Sequence, residues 1–283
     1  MTARRAAGPR EATERGTDGA ADRRAVLAPQ RQARILDRVR RSGGVRVSEL
    51  TGLLGVSDMT IRRDLDVLAR QGLVAKVHGG ATVVDRPSTE EPTFESKSLR
   101  ERAEKEAIAA RAAQLVHPGA AIGLTAGTTT WTLAGLLSGV PRLTVLTNST
   151  RVADVFHQQQ RPDRTVILTG GVRTPSDALV GPVAVAAIRA LHVDLLFMGV
   201  YGIDERAGLT TPNLMEAETN RALADCARRL VVVADHTKWG VVGLSQIAPL
   251  TDVDVLVTDD GLDDDATGVL AERVGDLVLT GEV

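Results

Sequence analysis

The chain of 283 residues contains one cysteine, Cys226. A lone thiol excludes an internal disulfide and any metal centre built from clustered cysteines. Aromatic residues make up 2% of the chain, too few for a surface that stacks single-stranded bases. No apolar run approaches the roughly 18 residues of a membrane-spanning helix, and no signal peptide stands ahead of the first periodic segment. A cytoplasmic protein that does not engage a membrane is expected. Lysine is scarce: Lys76, Lys97, Lys105 and Lys238 are the only four, and arginine supplies the other basic side chains. No spacing of histidines and carboxylates suggests a metal, and no cofactor is expected.

What charge there is lies unevenly. Leu27 to Gly80 holds ten Arg and Lys against five Asp and Glu, a balance of +5, whereas Thr93 to the end holds 17 against 24, a balance of −7. A basic front and an acidic back fit a nucleic-acid-reading domain joined to one that does not touch nucleic acid. The expected organisation is a disordered tail over 1–26, a nucleic-acid-reading domain over 27–83, a linker over 84–93 and a larger second domain over 94–283. The tail is Arg, Ala, Gly, Asp and Glu with almost no large apolar side chain to offset its chain entropy. The linker contains Asp85-Arg-Pro-Ser-Thr-Glu-Glu-Pro92, which has no apolar residue.

Within the basic front, Pro29 opens a helix with Ile35, Leu36 and Val39 as its apolar stripe and Arg31, Arg34, Arg38, Arg40 and Arg41 as its basic surface. Ser48 is placed to cap a second helix whose inward face is Leu50, Leu53 and Leu54, and Gly55 suits the left-handed turn that ends it. Ser57 caps a third helix, with Asp58 at the positive end of its dipole. Ile61, Leu65 and Leu68 form its buried stripe. Leu73 to Val77 reads as a strand running into His78-Gly-Gly80. Helix, turn, helix and hairpin make a winged helix-turn-helix, whose second helix enters a major groove near its N-terminus. Base contacts are expected from Asp58, Met59, Thr60, Arg62 and Arg63, with Arg62 or Arg63 and the wing on phosphates. Ser48, Ser57, Lys76 and His78 complete the candidate DNA-binding set.

The run Gly55-Val-Ser-Asp-Met-Thr-Ile-Arg-Arg-Asp-Leu65, followed by Gly72-Leu73 and His78-Gly-Gly-Ala81, closely resembles the DeoR family of bacterial sugar-responsive repressors.

Beyond the linker, helical and strand patterns alternate. A long helix is expected over Ser98 to Val116. Then come strands near 120–124, 143–147, 165–169, 193–200, 230–234, 253–258 and 276–279, with helices between most of them. Runs such as Leu230-Val-Val-Val-Ala234 are continuously apolar, as strands buried on both faces are, so the domain is α/β with a mainly parallel sheet. Ligands in such sheets bind beyond the carboxyl ends of the strands. Four polar turns fall there. Thr125-Ala-Gly-Thr-Thr-Thr130 opens a helix, and Gly127 with Thr128, Thr129 and Thr130 forms an anion cradle suited to phosphate. Asn148, the pair Gly170 and Gly171, and Asp235 with Lys238 follow the next strands. Lys238 offers a compact point charge, and Glu216 can accept from hydroxyls.

This half also resembles the DeoR effector domain, and the likeness implies a ribose-5-phosphate isomerase or CoA-transferase-like fold. By that resemblance Gly127, Thr128, Thr129, Asn148, Gly170, Gly171, Asp235, Lys238 and also Lys105 surround a phosphorylated sugar. Thr125-Ala126 stands where the family has an acidic or glycine-type residue and then serine. The isomerases carry catalytic aspartates in a segment that corresponds here to Phe197-Met-Gly-Val-Tyr-Gly-Ile-Asp204, where Met198 and Tyr201 replace carboxylates. The expectation is a non-enzymatic transcriptional repressor of carbohydrate genes, a dimer or tetramer on a double-stranded operator, modulated by a phosphorylated sugar. A sugar-phosphate isomerase with an added DNA-binding head is the alternative, and a DNA-binding protein with a vestigial pocket is a third reading.

Overall fold

The computed structural model describes residues 27–42, 44–77, 79–83, 93–98, 100–159 and 161–281. The expected tail, His78 and residues 84–92 of the linker lie outside the described residues. In chain order the helices are α1 (Ala28–Ser42), α2 (Val47–Leu54), α3 (Asp58–Arg70), α4 (Phe94–Ser98), α5 (Arg102–Ala113), α6 (Thr128–Leu137), α7 (Thr150–Gln158), α8 (Pro182–Ile188), α9 (Leu214–Asp225) and α10 (Asp264–Arg273). The first strands are β1 (Gly44–Arg46), β2 (Val74–Val77), β3 (Gly80–Val83), β4 (Ala121–Leu124), β5 (Thr144–Thr147), β6 (Thr165–Leu168), β7 (Val172–Arg173) and β8 (Leu179–Val180). The rest are β9 (Val193–Met198), β10 (Gly202–Asp204), β11 (Gly208–Thr211), β12 (Ala227–Val233), β13 (Ser245–Ala248), β14 (Val255–Thr258) and β15 (Leu277–Leu279).

The front unit is a winged helix-turn-helix. Helices α1 to α3 bury Ile35, Leu36, Val39, Leu50, Ile61, Leu65 and Leu68 in one core. The wing is a three-stranded antiparallel sheet in the order β1-β3-β2. Only glycine fits at position 80, because a Cβ there would lie 2.1 Å from the Val45 carbonyl oxygen. Gly55 closes α2 at φ 65°, donating to the Thr51 carbonyl, and Ser57 caps α3 by accepting from the Thr60 N–H at 3.3 Å.

Three expectations for this unit are corrected. Ser48 is not a cap: α2 starts two residues earlier than that cap implies, at Val47, with Arg46 as its N-cap and the Arg46 N–H donating to Glu49 Oε2 at 3.4 Å. Leu53 does not face inward and is 64% exposed, because Val47 and Leu50 already fill that stripe. Arg31 is not a surface cation. Its Nε donates to Asp64 Oδ2 at 2.5 Å, and Gln32 Nε2 donates to Asp64 Oδ1 at 2.9 Å. Asp64, 3% exposed, thereby ties α1 to α3.

The second unit is built on seven strands in the order β15-β14-β12-β9-β4-β5-β6, every pair parallel. The two faces carry separate apolar cores. One packs α8 and α9 through residues such as Ile188 and Leu223. The other packs α5, α6 and α7 through Ile108, Leu133 and Phe156. From β4 the chain winds outward to β5 and β6. It then returns to β9, on the other side of β4, and winds the opposite way. That reversal is the topological switch point where such sheets leave a crevice.

The expected long helix over 98–116 is shorter, α5 alone over Arg102–Ala113, and the separate short α4 lies ahead of it. Glu101 adopts φ 45°, ψ 50° and separates α4 from α5. The ammonium of Lys105 spans that gap: it donates to the carbonyls of Lys97, at 2.9 Å, and Arg100. A small antiparallel sheet, β10-β11-β13, and the hairpin β7-β8 are additional to the expected strands. Among the described residues, no helix is long and apolar enough to cross a membrane.

Candidate functional site

Two surfaces carry the candidate residues. On the front unit, α3 projects from its packed side with Asp58, Met59, Arg62 and Arg63 exposed. Ser57 and Thr60 share a hydroxyl–hydroxyl hydrogen bond of 2.9 Å, Arg62 Nε donates to Asp58 Oδ2 at 3.0 Å, and Lys76 on the wing pairs with Asp66. Ser48 is exposed on the first turn of α2. The first turns of α3 and the wing thus carry hydroxyl, guanidinium and ammonium groups at the surface.

In the second unit a cavity of about 360 Å³ opens at the carboxyl ends of the central strands. Gly127, Thr128, Thr129, Asn148, Glu216, Asp235, Lys238 and Lys105 all line it. Thr125, Thr130, Gly170 and Gly171 do not. Thr125 Oγ1 accepts from Gly199 N at 3.1 Å, and Thr130 Oγ1 donates to the Thr125 carbonyl at 2.7 Å. These two hydroxyls hold the loop from inside. Gly171 is there for packing, since a Cβ would meet the Val180 carbonyl oxygen at 2.5 Å.

The cradle comes from β4 and α6. After Leu124 the chain turns through Ala126 and Gly127, and α6 begins at Thr128. The first N–H groups of a helix have no intrahelical acceptor and sit at the positive end of its dipole. Asn148, 1% exposed, builds the wall beside them. Its Oδ1 accepts from Ala126 N at 3.0 Å, and its Nδ2 donates to the Leu179 carbonyl at 3.2 Å. Both ends of the amide are committed to backbone, so Asn148 shapes the site by tying the turns after β4 and β5 to strand β8.

Glu216, in the first turn of α9, accepts from Thr211 Oγ1 at 2.9 Å, Thr174 Oγ1 at 3.3 Å and Ser176 Oγ. Asp235, 2% exposed, follows β12 and accepts from Thr237 N at 3.1 Å and from its hydroxyl. Lys238 ends the short turn His236–Lys238. Lys105 is 5% exposed. Burial lowers its pKa, Asp235 opposes that shift, and Lys238 reinforces it. Burial likewise raises the Glu101 carboxyl, against the pull of His236.

Sequence reasoning missed Lys97, Arg100, Glu101, Ser176, Tyr201, Thr211 and Asn220, which also line the cavity. Asn220 was findable, one helical turn beyond Glu216 on the same face. Arg100 and Glu101 were hidden by the expected long helix. Four cations (Lys97, Arg100, Lys105 and Lys238) and three carboxylates (Glu101, Glu216 and Asp235) line the space. That excess favours an anion, and the carboxylates and hydroxyls suit a polyhydroxy body. Gly72 and Leu73, just past α3, also reach the lining.

His236, ahead of Lys238 on the same turn, is a half-buried partner of Asp259. Its Nδ1 lies 2.6 Å from Asp259 Oδ2, and its N–H donates to Oδ1 at 2.8 Å. Burial opposes the imidazolium, but the hydrogen bond and charge of Asp259, with Asp235 and Glu101, outweigh it and raise the pKa above 6.5. Burial also penalises the Asp259 carboxylate, but its bonds to His236 and Gly261 hold its pKa below 3.8. The raised histidine contributes stability that is complete below pH 6.5 and lost as pH rises through its folded-state value. Asp259 contributes above pH 3.8 and loses its contribution as pH falls through its own lowered value. The unfolding free energies of wild type and Asp259→Asn should therefore differ more at about pH 5.5 than at about pH 9. Urea titrations at both pH values test this, and an equal gap would remove the ion pair from the account.

A profile of the DeoR-like helix-turn-helix domain matches residues 31–87, and one of the DeoR C-terminal sensor domain matches residues 100–260. The chain belongs to the DeoR family. The regulator GolR of Listeria innocua is 38% identical over 81% of this chain and 90% of its own. GlpR of Haloferax volcanii is 37% identical over 90% and 99%. The repressor CsqR of Escherichia coli is 32% identical over 81% and 87%. Among solved structures, ribose 5-phosphate isomerase A from Neisseria gonorrhoeae aligns at TM-score 0.36 and 15% identity over 50% of this chain and 54% of that one. Translation initiation factor eIF-2B from Pyrococcus horikoshii aligns at 0.42 and 12% over 84% and 90%. At those scores the likenesses carry no argument. As a DeoR member this chain is a DNA-binding transcriptional regulator, with the winged unit as its helix-turn-helix domain and the α/β unit as its sensor domain.

Proposed function

We propose that this DeoR regulator is a cytoplasmic repressor of carbohydrate-utilisation genes, and that its sensor cavity binds a phosphorylated sugar. The observation that carries the proposal is the meeting of three features in one cavity. These are the N-terminal cradle of α6, the cation Lys238, and the carboxylates of Glu216 and Asp235 with the Thr211 hydroxyl. The cradle takes the phosphate, and Glu216, Asp235 and Asn220 face the sugar hydroxyls.

The cavity binds without turnover. Proton transfer between carbons needs a base free to reach the substrate. Glu216 and Asp235 already accept hydrogen bonds from protein hydroxyls, and Met198, in place of a catalytic carboxylate, is fully buried. Among the described residues Glu101 is the one further carboxylate of the lining, on which the isomerase assay below decides.

The route to DNA runs through α4, the first described helix after the linker. Phe94 meets Trp131 of α6 edge-on, with ring centroids 5.9 Å apart, and lies under Arg151 of α7 at 5.1 Å. Arg151 also pairs with Glu95 at 2.7 Å. Trp131 is one turn from the cradle and Arg151 three residues from Asn148, so an occupant acts on the helix that holds the linker. Two copies place two reading heads on an operator. A sugar phosphate that favours wrong spacing of the heads weakens binding by its differential affinity, about 1–3 kcal/mol.

The test is operator binding by purified protein at fixed salt, across phosphorylated sugars and their dephosphorylated forms. The operator comes from selection out of random duplex DNA. One phosphosugar should shift affinity severalfold while its dephosphorylated form does not. If no phosphosugar binds or shifts affinity, the sensor reading fails. Conversion of ribose 5-phosphate to ribulose 5-phosphate would overturn the non-enzymatic reading.

A further inference from the structure

The outward face of α3 is largely paired within the protein. Ser57 is bonded to Thr60, Asp58 to Arg62 and Asp66 to Lys76. Two exposed side chains on the first turns have no such bond among the described residues: Met59, 69% exposed, and Arg63. They are four residues apart, so they lie on one side of the helix about 6 Å apart along its axis.

Their chemistry differs sharply. Met59 is a long, flexible thioether on an otherwise polar surface, with no strong donor or acceptor to offer a base edge. In the major groove the matching apolar feature is the C5 methyl of thymine. Arg63 presents a planar fork of donors, and its match is the O6 and N7 pair of guanine. Base pairs stack about 3.4 Å apart, so a separation of about 6 Å along the helix spans roughly two base-pair steps.

We propose that Met59 and Arg63 are the two residues that set operator sequence. Met59 selects a thymine by its methyl group, and Arg63 selects a guanine about two steps away in the same half-site. Arg62, braced by Asp58, and Lys76, braced by Asp66, serve phosphates. The assignment concerns DNA reading alone and is independent of the sensor cavity.

The experiment uses the full-length protein. Wild type, Met59→Ala and Arg63→Ala each select duplexes from a random pool. Single thymines of the wild-type operator are then replaced by deoxyuridine, which lacks only the methyl, and single guanines by 7-deazaguanine. At one thymine per half-site, deoxyuridine should weaken wild-type binding about fourfold, the worth of one buried methyl. It should have no further effect on Met59→Ala, whose selected pool loses that thymine. At one guanine, about two positions off, 7-deazaguanine should cost wild type about fivefold or more and Arg63→Ala nothing.

The proposal is overturned for Met59 if every deoxyuridine operator binds wild type as tightly as the thymine form. It is overturned for Arg63 if Arg63→Ala loses affinity uniformly across sequences with a shallower salt dependence, the mark of a phosphate contact. The modified-base measurements on wild type need no variant to fold.

Discussion

Asp64→Ala lowers the stability of the winged helix-turn-helix by about 3 kcal/mol and abolishes operator binding at 37 °C, while the sensor domain still melts as in wild type. Asp64 is the one buried carboxylate in this unit among the described residues, at 3% exposure. It accepts from Arg31 Nε at 2.5 Å, Arg31 Nη2 at 3.3 Å and Gln32 Nε2 at 2.9 Å. Removing it leaves a guanidinium that is itself 12% exposed without its counter-charge, beside an amide that has lost its acceptor. The loss falls on a domain of about 55 residues, where one core supplies only about 3–5 kcal/mol. The companion variant separates electrostatics from shape: Arg31→Met with Asp64→Leu removes both charges and should recover most of the stability. Calorimetry of the full chain resolves the two domains. An Asp64→Ala transition within a degree of wild type would show that solvent already screens the pair.

Lys238→Ala weakens binding of the phosphorylated sugar about tenfold to a hundredfold, the worth of a charged hydrogen bond. The effect on the dephosphorylated form should be much smaller. The contrast between the two ligands distinguishes a lost phosphate contact from a damaged cavity, which would weaken both alike. Lys238→Arg keeps the charge but replaces a compact ammonium with a planar fork, and should recover only part of the affinity. Titration calorimetry on the purified protein reads all of these. Unchanged affinity for the phosphorylated form would move the phosphate away from Lys238 and leave the α6 cradle to hold it alone.

The parts of this structure that were legible in the sequence are those set by local rules. Gly55, Ser57 and the stripe Ile61, Leu65 and Leu68 follow from caps and helical period. The continuous apolar run after Leu230 announces a strand buried on both faces. Because polar turns of a parallel sheet share one edge, Gly127, Thr128, Thr129, Asn148, Asp235 and Lys238 could be placed at one cavity without any known pairing order. The parts that were not legible depend on partners distant in the chain. Arg31 looked like a surface cation because Asp64 is 33 residues away. The helix expected over 98–116 starts only at Arg102, after Glu101 in the left-handed region, and the buried Lys105 ammonium reaches back to the carbonyls of Lys97 and Arg100 ahead of it. The sheet of β10, β11 and β13 joins segments of three or four residues, one of them 34 positions beyond the others. No periodicity marks strands that short. Gly170 and Gly171 resembled a ligand turn by composition, and only the approach of Val180 shows that Gly171 is a packing residue.

The edge-on contact between Trp131 and Phe94 also gives the molecule an optical property. The chain has only two indoles, Trp131 and Trp239. Trp131, 40% exposed, stands one helical turn from the cradle and touches the helix that leads to the linker. Indole emission shifts with the polarity and neighbours of the ring, so the position of α4 is written into the fluorescence of Trp131. With Trp239 replaced by phenylalanine, a single colour change would follow the regulator's switch in real time, with no dye and no DNA in the cuvette.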